Sequence, residues 1–266
     1  MRDITLGQFI AGNSVLHSCD PRTKILIMIV YIAMVFLVDR IPGFIFPLAF
    51  LILSLLLSKI PVSYILRSLK PIRMLLIFMF VLNLFFTTGE NVIFSLGFWT
   101  FTWEAVWQSI FITIRIILLV TGASMLTLTT SPIALTDGIE RLLQPLRVFR
   151  FPAHELAMMM TIALRFIPTL IEESDKIMKA QLSRGADLES GNLFARVKSM
   201  VPILIPLFVS SFRKADELAT AMESRCYHGG DGRTRLHSLR FGKVDAVAGL
   251  LTLAFFAATL IFFIVF

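Results

Sequence analysis

Two arginines end the same phrase. MKAQLSRGAD at 178–187 and LATAMESRCY at 218–227 each read Ala, two residues, Ser, Arg, then a small residue. The first copy holds Ala180, Ser183, Arg184 and Gly185; the second holds Ala221, Ser224, Arg225 and Cys226. Each arginine has an aspartate nine residues upstream, Asp175 and Asp216. A guanidinium is always charged, and its planar fork bonds carboxylates and carbonyls two at a time. It can also simply complement the negative end of a helix dipole. The dipole accounts for one cation at a helix end. It does not account for two copies in one setting, nor for small neighbours that let another backbone approach. The repeat is read as two tips that dock into grooves on other proteins.

Other constellations are weaker. GGDGRT, 229–234, is Gly-rich but lacks the Gly-Lys-Ser/Thr ending that cradles phosphates, so it is expected to be a loop closing a helix. His154-Glu155 lacks the second histidine of a zinc-protease helix. Cys226-Tyr227-His228 and His17-Ser18-Cys19-Asp20 offer too few ligands for a metal. Asp20-Pro21 reads instead as a helix start, with the carboxylate as cap and proline at the first position. No catalytic group, metal or cofactor is expected.

The tips need long helices to carry them. Phe166, Leu170, Ile177 and Gln181/Leu182 recur at helical spacing, with Glu172, Glu173, Lys176 and Lys179 on another face. In the second copy Phe208, Phe212, Ala215, Ala219, Met222 and Cys226 form a predicted stripe. Pro168 and Pro206 are expected near the helix starts, and Gly185 and Gly229-Gly230 at or beyond the ends. Each repeated phrase is thus the C-terminal tip of an amphipathic helix. Met158, Met159, Met178 and Met222 are either helix packing or an adaptable apolar platform, to which Leu142 and Leu146 would add.

The rest of the chain is built for lipid. Of 266 residues 56% are hydrophobic and only 16% charged, against roughly 25% charged in soluble domains. Apolar runs at Ile25–Val38, Ile41–Ser58, Met74–Phe86, Ala105–Leu128 and Val244–Phe266 suggest five spans, with four or six left open. The expected organisation is an N-terminal segment (1–24), four transmembrane helices (25–128), a helical region with both arginine tips (129–243) and a last transmembrane helix (244–266). The net charge of +7 then reflects sidedness and not nucleic acid. Most of the 25 Lys and Arg fall in 130–243, and others precede the first span or lie between the second and third. This places the N-terminus and 129–243 in the cytoplasm of a multi-pass protein. Two cysteines, both near that side, give no disulfide framework. Arg115 lies inside a span, where it either pairs with carbonyls or Glu104 or forms part of a polar pathway.

These residues resemble a known family. The two arginine phrases are similar to the paired Arg motifs, commonly Ala-Arg-Gly, of the transmembrane (T) component of energy-coupling factor transporters, the EcfT or CbiQ-like family. GNSVLHSCDPRTK at 12–24 is similar to that family's Gly-x-Ser-x-Leu-His-x-x-Asp-Pro-Arg-x-Lys segment. LTDGIERLLQPL at 135–146, 163–187 and 201–227 fit as well, so the resemblance covers nearly the whole chain. Ser replaces Ala before both arginines, and Cys226 replaces the usual Gly.

The resemblance implies an all-α integral membrane protein with about five transmembrane helices and long amphipathic cytoplasmic coupling helices. It implies a non-enzymatic subunit of an importer in a prokaryotic inner or plasma membrane. Two ATP-binding-cassette ATPases would dock at Arg184 and Arg225, and a membrane-embedded S component would capture a vitamin or metal ion. The alternative is a stand-alone secondary transporter or channel using Arg115. That reading wants several ionisable groups at mid-membrane, and only Arg115 is found there.

Overall fold

Asp20 ends the polar lead-in and caps the first long helix, accepting the Arg22 N–H at 2.9 Å with Pro21 at the first helical position, as the sequence predicts. The computed structural model describes residues 9–87, 91–96, 99–149, 151–186, 192–229 and 239–265. Their helices are α1 (Val15–Ser18), α2 (Pro21–Leu37), α3 (Ile45–Ser58), α4 (Val62–Leu69) and α5 (Arg73–Phe86), then α6 (Trp103–Thr129), α7 (Pro132–Leu143), α8 (Ala153–Ser183), α9 (Leu193–Glu223) and α10 (Lys243–Val265). An antiparallel hairpin of β1 (Val92–Leu96) and β2 (Trp99–Thr102) separates α5 from α6. The architecture is all-α, as expected. Contacts divide the chain into two units: Met1–Ile139 with Ser238–Phe266, and Glu140–His237.

In the first unit α2 packs on α6 and α10, α10 on α3, and α4 and α5 on α6. The core holds Tyr31, Met34, Val35, Val38, Phe44 and Leu118. Gly122 makes it possible. A Cβ there would sit 2.3 Å from the Tyr31 ring, whose hydroxyl donates to the Leu118 carbonyl at 3.1 Å. Polar side chains enter the core because they bond locally. Ser109, Thr121 and Thr129 each donate to the carbonyl four residues back on α6. Outward-facing Ile29, Ile52, Phe86, Leu250 and Ile264 are exposed, an apolar surface suited to acyl chains.

Among the described residues five helical stretches are long and apolar enough to cross a membrane: Ile41–Ser58, Val62–Phe86, Trp103–Thr129, Ala153–Ser183 and Lys243–Val265. The number agrees with the expectation, but the membership differs. The Met74–Phe86 run is extended by α4 to a full span. The first expected span becomes α2, whose 17 residues reach about 25 Å, against roughly 30 Å of hydrocarbon. Within 129–243, α8 meets the length and composition required, although it is the least apolar of the five.

The second unit is built on α8 and α9. Gln181 Nε2 donates to the Pro202 carbonyl at 3.2 Å, and Lys214 Nζ meets Glu173 at 3.5 Å, so the helices run antiparallel. Pro168, Pro202 and Pro206 lie inside the helices, which corrects the expectation that Pro168 and Pro206 stand near the starts. Pro206 has no N–H for the carbonyl four residues back, which is that of Pro202. Gln181 supplies the missing donor from the other helix.

The α9 stripe also needs correction. Ser211, Ala215, Leu218 and Met222 line a crevice with Met158 and Phe166 of α8. Phe208 and Phe212 are instead 61% and 69% exposed.

Candidate functional site: two helix ends and a polar knot

Both arginine phrases fold into the same helix ending. On α8, Arg184 is the C-cap and Gly185 is left-handed at φ +85°. The Gly185 N–H donates to Leu182 O at 3.0 Å and the Ala186 N–H to Gln181 O at 3.0 Å. On α9, Cys226 is left-handed at φ +55°. Its N–H donates to Glu223 O at 2.9 Å, and the Tyr227 N–H donates to Met222 O at 3.1 Å. This pair of bonds, six-to-one and five-to-two, is a Schellman ending in each case. It explains the residue after each arginine from within the chain: the position needs a residue that tolerates positive φ. The serines before the arginines also turn inward, Ser183 donating to Lys179 O and Ser224 to Ala221 O, each at 3.0 Å.

With the last carbonyls occupied by backbone donors, the guanidiniums are not needed as caps. Arg184 and Arg225 are exposed, and neither guanidinium has a hydrogen-bond or ion-pair partner among the described residues. Ala180 and Ala221 are exposed beside them. Because α8 and α9 are antiparallel, the two arginines leave opposite ends of the pair. A helix of 31 residues is roughly 45 Å long at a rise of ~1.5 Å per residue, which sets the scale of their separation.

The other candidate residues disperse. Met158 and Met222 line the α8–α9 crevice. Met159 and Met178 are exposed on α8, and Leu142 is half-buried on α7. The Leu146 side chain lies outside the described residues, as does the Gly-rich loop beyond Gly229. Sequence reading missed an exposed apolar row on α9 that includes Phe194, Val197, Val201, Leu204, Phe208 and Phe212. Its signal was the spacing of 194, 197, 201, 204, 208 and 212, a run attributed in part to the inner face.

Arg115 pairs with a backbone carbonyl, one of the alternatives the sequence leaves open. It donates to the Val38 carbonyl at the end of α2, at 2.5 Å, and its guanidinium lies 4.6 Å from the centre of the Phe111 ring. Glu104 is taken by Asn91, at 2.6 Å.

The segment at 12–24 builds a polar knot. His17 accepts from Ser14 at 2.6 Å and donates through Nε2 to the Ile10 carbonyl at 2.9 Å, so both ring nitrogens are engaged. Arg22 grips Asp20 with two bonds, 2.7 and 3.0 Å, and lies 4.0 Å above the Phe241 ring. Buried Lys24 donates to the Thr129 carbonyl at 3.1 Å. Buried Asp245 accepts from the Asp20 N–H at 2.7 Å and the Gly242 N–H at 2.8 Å. Carboxylates thus sit at the N-termini of α2 and α10 and an ammonium at the C-terminus of α6, each matching the local dipole. Burial alone would raise the Asp20 pKa. The Arg22 side-chain and backbone bonds, with the charges of Arg22 and Lys24, outweigh it and hold the carboxyl below its usual range.

A family model described as "Cobalt transport protein" (CbiQ) matches residues 12–236, a stretch that includes the knot's N-terminal half and both arginine tips. The energy-coupling factor transporter transmembrane protein of Thermosediminibacter oceani is 55% identical over 252 residues, 95% of this chain and 95% of that protein. The protein of the same description from Clostridium kluyveri is 54% identical over 254 residues, 95% of this chain and 94% of that one. That of Bacillus subtilis is 44% identical over 263 residues, 98% of each. With identity at this level over nearly the full length of both partners, the chain belongs to the family of energy-coupling factor transporter transmembrane proteins.

Proposed function

We propose that this chain is the non-catalytic coupling subunit of an importer driven by two cytoplasmic ATP-binding-cassette ATPases, with a membrane-embedded S component that captures a vitamin or metal ion. The observation that carries the reading is the pair of identical helix endings, each presenting an exposed arginine whose capping work is already done by backbone. A guanidinium free of such work suits a carboxylate or carbonyl on a partner. Two equivalent tips at opposite ends of one helix pair suit two equivalent partners. Ala180, Ser183 and Gly185 would surround the first contact, and Ala221, Ser224 and Cys226 the second. The exposed methionines Met159 and Met178 and the apolar row on α9 suit an S component, because contiguous exposed apolar surface marks association. Met158, Met222 and Leu142 would support that platform, and Leu146 would belong to it. ATP hydrolysis belongs to the partners in this reading. The N-terminus and both tips face the cytoplasm of a prokaryotic inner or plasma membrane.

Recovery of the ATPases with this chain as bait tests the reading. Arg184→Ala or Arg225→Ala should each lower uptake while the other tip still holds. The double variant should lose stable ATPase association, since one engaged tip raises the effective concentration of the other. Full recovery of both ATPases by the double variant, with normal uptake, would reduce the repeated phrase to a helix ending.

A further inference from the structure

The polar knot stands where the chain leaves the membrane bundle and where it returns. Residues 140–237 form their own unit, joined to the bundle by two covalent routes. The outgoing route runs from Thr129, the last residue of α6, through Thr130 and Ser131 into α7. The returning route runs through Arg240, Phe241 and Gly242 into α10. Lys24 holds the first route by the Thr129 carbonyl. Close packing holds it again: a Cβ on Gly138 would lie 3.0 Å from Pro21 Cβ and 3.3 Å from the Pro21 carbonyl carbon. Arg22 holds the second route by covering Phe241, and Asp245 closes it by binding the N–H groups of Gly242 and Asp20 together. All of these contacts radiate from five consecutive residues, Asp20 to Lys24, at the start of α2.

Helix capping alone does not require this convergence. Each helix end could be capped from its own strand of chain, as Ser14 and Ser131 do for α1 and α7. Here one short segment grips both routes, and its Arg22 and Lys24 are balanced by Asp20 together with Asp245 of α10. Buried charges are costly unless paired, so the cluster resists partial opening. A side-chain network of this kind has discrete arrangements and does not stretch gradually.

We propose that the Asp20–Arg22–Lys24–Asp245 knot is a mechanical clamp: it fixes both covalent routes to the start of α2, so that displacement of residues 140–237 is delivered to the membrane helices as one motion. Asp20, Arg22, Lys24, Gly138 and Asp245 are positioning residues; none of them touches substrate or nucleotide. The inference rests on the reading that nucleotide-driven motion enters through Arg184 and Arg225. With the clamp loosened, the arginine-tipped unit would still bind its ATPases, but its movement would be absorbed in the two links.

The test uses the full complex of this chain with its ATPases and S component, in proteoliposomes. Lys24→Met, Asp245→Asn and Gly138→Val should each retain both ATPases and continue to hydrolyse ATP, while substrate imported per ATP falls roughly tenfold or more, the scale expected when alignment is lost at a distance. Lys24→Arg, which keeps a cation within reach of the Thr129 carbonyl, should restore part of the ratio. Should Lys24→Met fail to accumulate in the membrane, Arg22→Lys carries the same test, because it keeps the charge and loses the fork on Asp20. An unchanged ratio of uptake to hydrolysis in assembled variants would overturn the clamp and leave the knot as a stability feature. Loss of the ATPases from knot variants would overturn it too, by placing the knot in assembly. Failure of the docking reading is distinguishable, because it would appear as wild-type chain that retains no ATPase through its arginine tips.

Discussion

Cys226 occupies the position on α9 that Gly185 occupies on α8, the left-handed residue that closes the helix, with φ +55° against +85°. The two tips therefore share one backbone design carried by different residues. A side chain with a Cβ is strained there, by roughly 1–2 kcal/mol. Cys226→Gly should stabilise the α9 tip by up to about 1 kcal/mol, and Gly185→Ala should weaken the α8 tip by a similar amount. Hydrogen exchange at the closing amides checks this, slowing at Tyr227 in the first variant and quickening at Ala186 in the second. Identical exchange in wild type and both variants would mean that the endings are held by something other than this turn.

Gly122 and Tyr31 form a second coupled pair. Gly122→Ala forces the ring off its seat and breaks the bond to the Leu118 carbonyl, with an expected loss of ~1–3 kcal/mol. In a Tyr31→Leu background, where the obstructing ring is absent, the same substitution should cost clearly less. Thermal unfolding in detergent measures both. Additive losses would show that the close approach does not matter to the bundle.

Much of this was legible from residue types. Asp20-Pro21 announced a helix start, the apolar runs announced a bundle, and the repeated phrase announced two equivalent tips. The Schellman geometry was half legible: Gly185 signals such an end, whereas Cys226 does not, because its place is set by the turn and not by preference. Phe208 and Phe212 were joined to Ala215 and Ala219 by spacing alone, and spacing does not say which apolar side chains face a neighbouring helix. In lipid or against a partner, large apolar side chains can face outward. The knot was out of reach. Lys24 and Thr129 are far apart in sequence, as are Asp20 and Asp245, and nothing local signals that such pairs meet.

Acid should loosen the knot. The Asp20 carboxyl titrates below its usual range in the folded chain, so its contribution is complete above the unfolded value, about 3.9, and disappears as pH falls through the folded one. Asp20→Asn keeps a cap but loses the charge. Its stability deficit relative to wild type should be constant at neutral pH and shrink as pH drops below ~4. Parallel curves across that range would exclude the Asp20–Arg22 pair as a contributor.

Sidedness follows from the knot combined with the basic residues. The Asp20–Asp245 and Lys24–Thr129 contacts bring the start of α2, the end of α6 and the start of α10 to one end of the bundle. Arg40 lies by the turn at the other end, in a pocket with Val38 and Phe262. Whichever way the bundle inserts, residue 20 and the links to 140–237 share a side, and Arg40 lies opposite. Residues 130–243, which leave and re-enter the bundle on the first side, hold most of the basic residues, so the positive-inside rule predicts a cytoplasmic location for it. In a chain with Cys19 and Cys226 replaced by serine, cysteine at position 13 or 191 should resist a membrane-impermeant thiol reagent in intact cells. Cysteine at position 40 should react. Permeabilised cells should expose positions 13 and 191 alike. Labelling of position 13 from outside, with position 40 protected, would invert the orientation and remove the tips from the compartment that holds ATP.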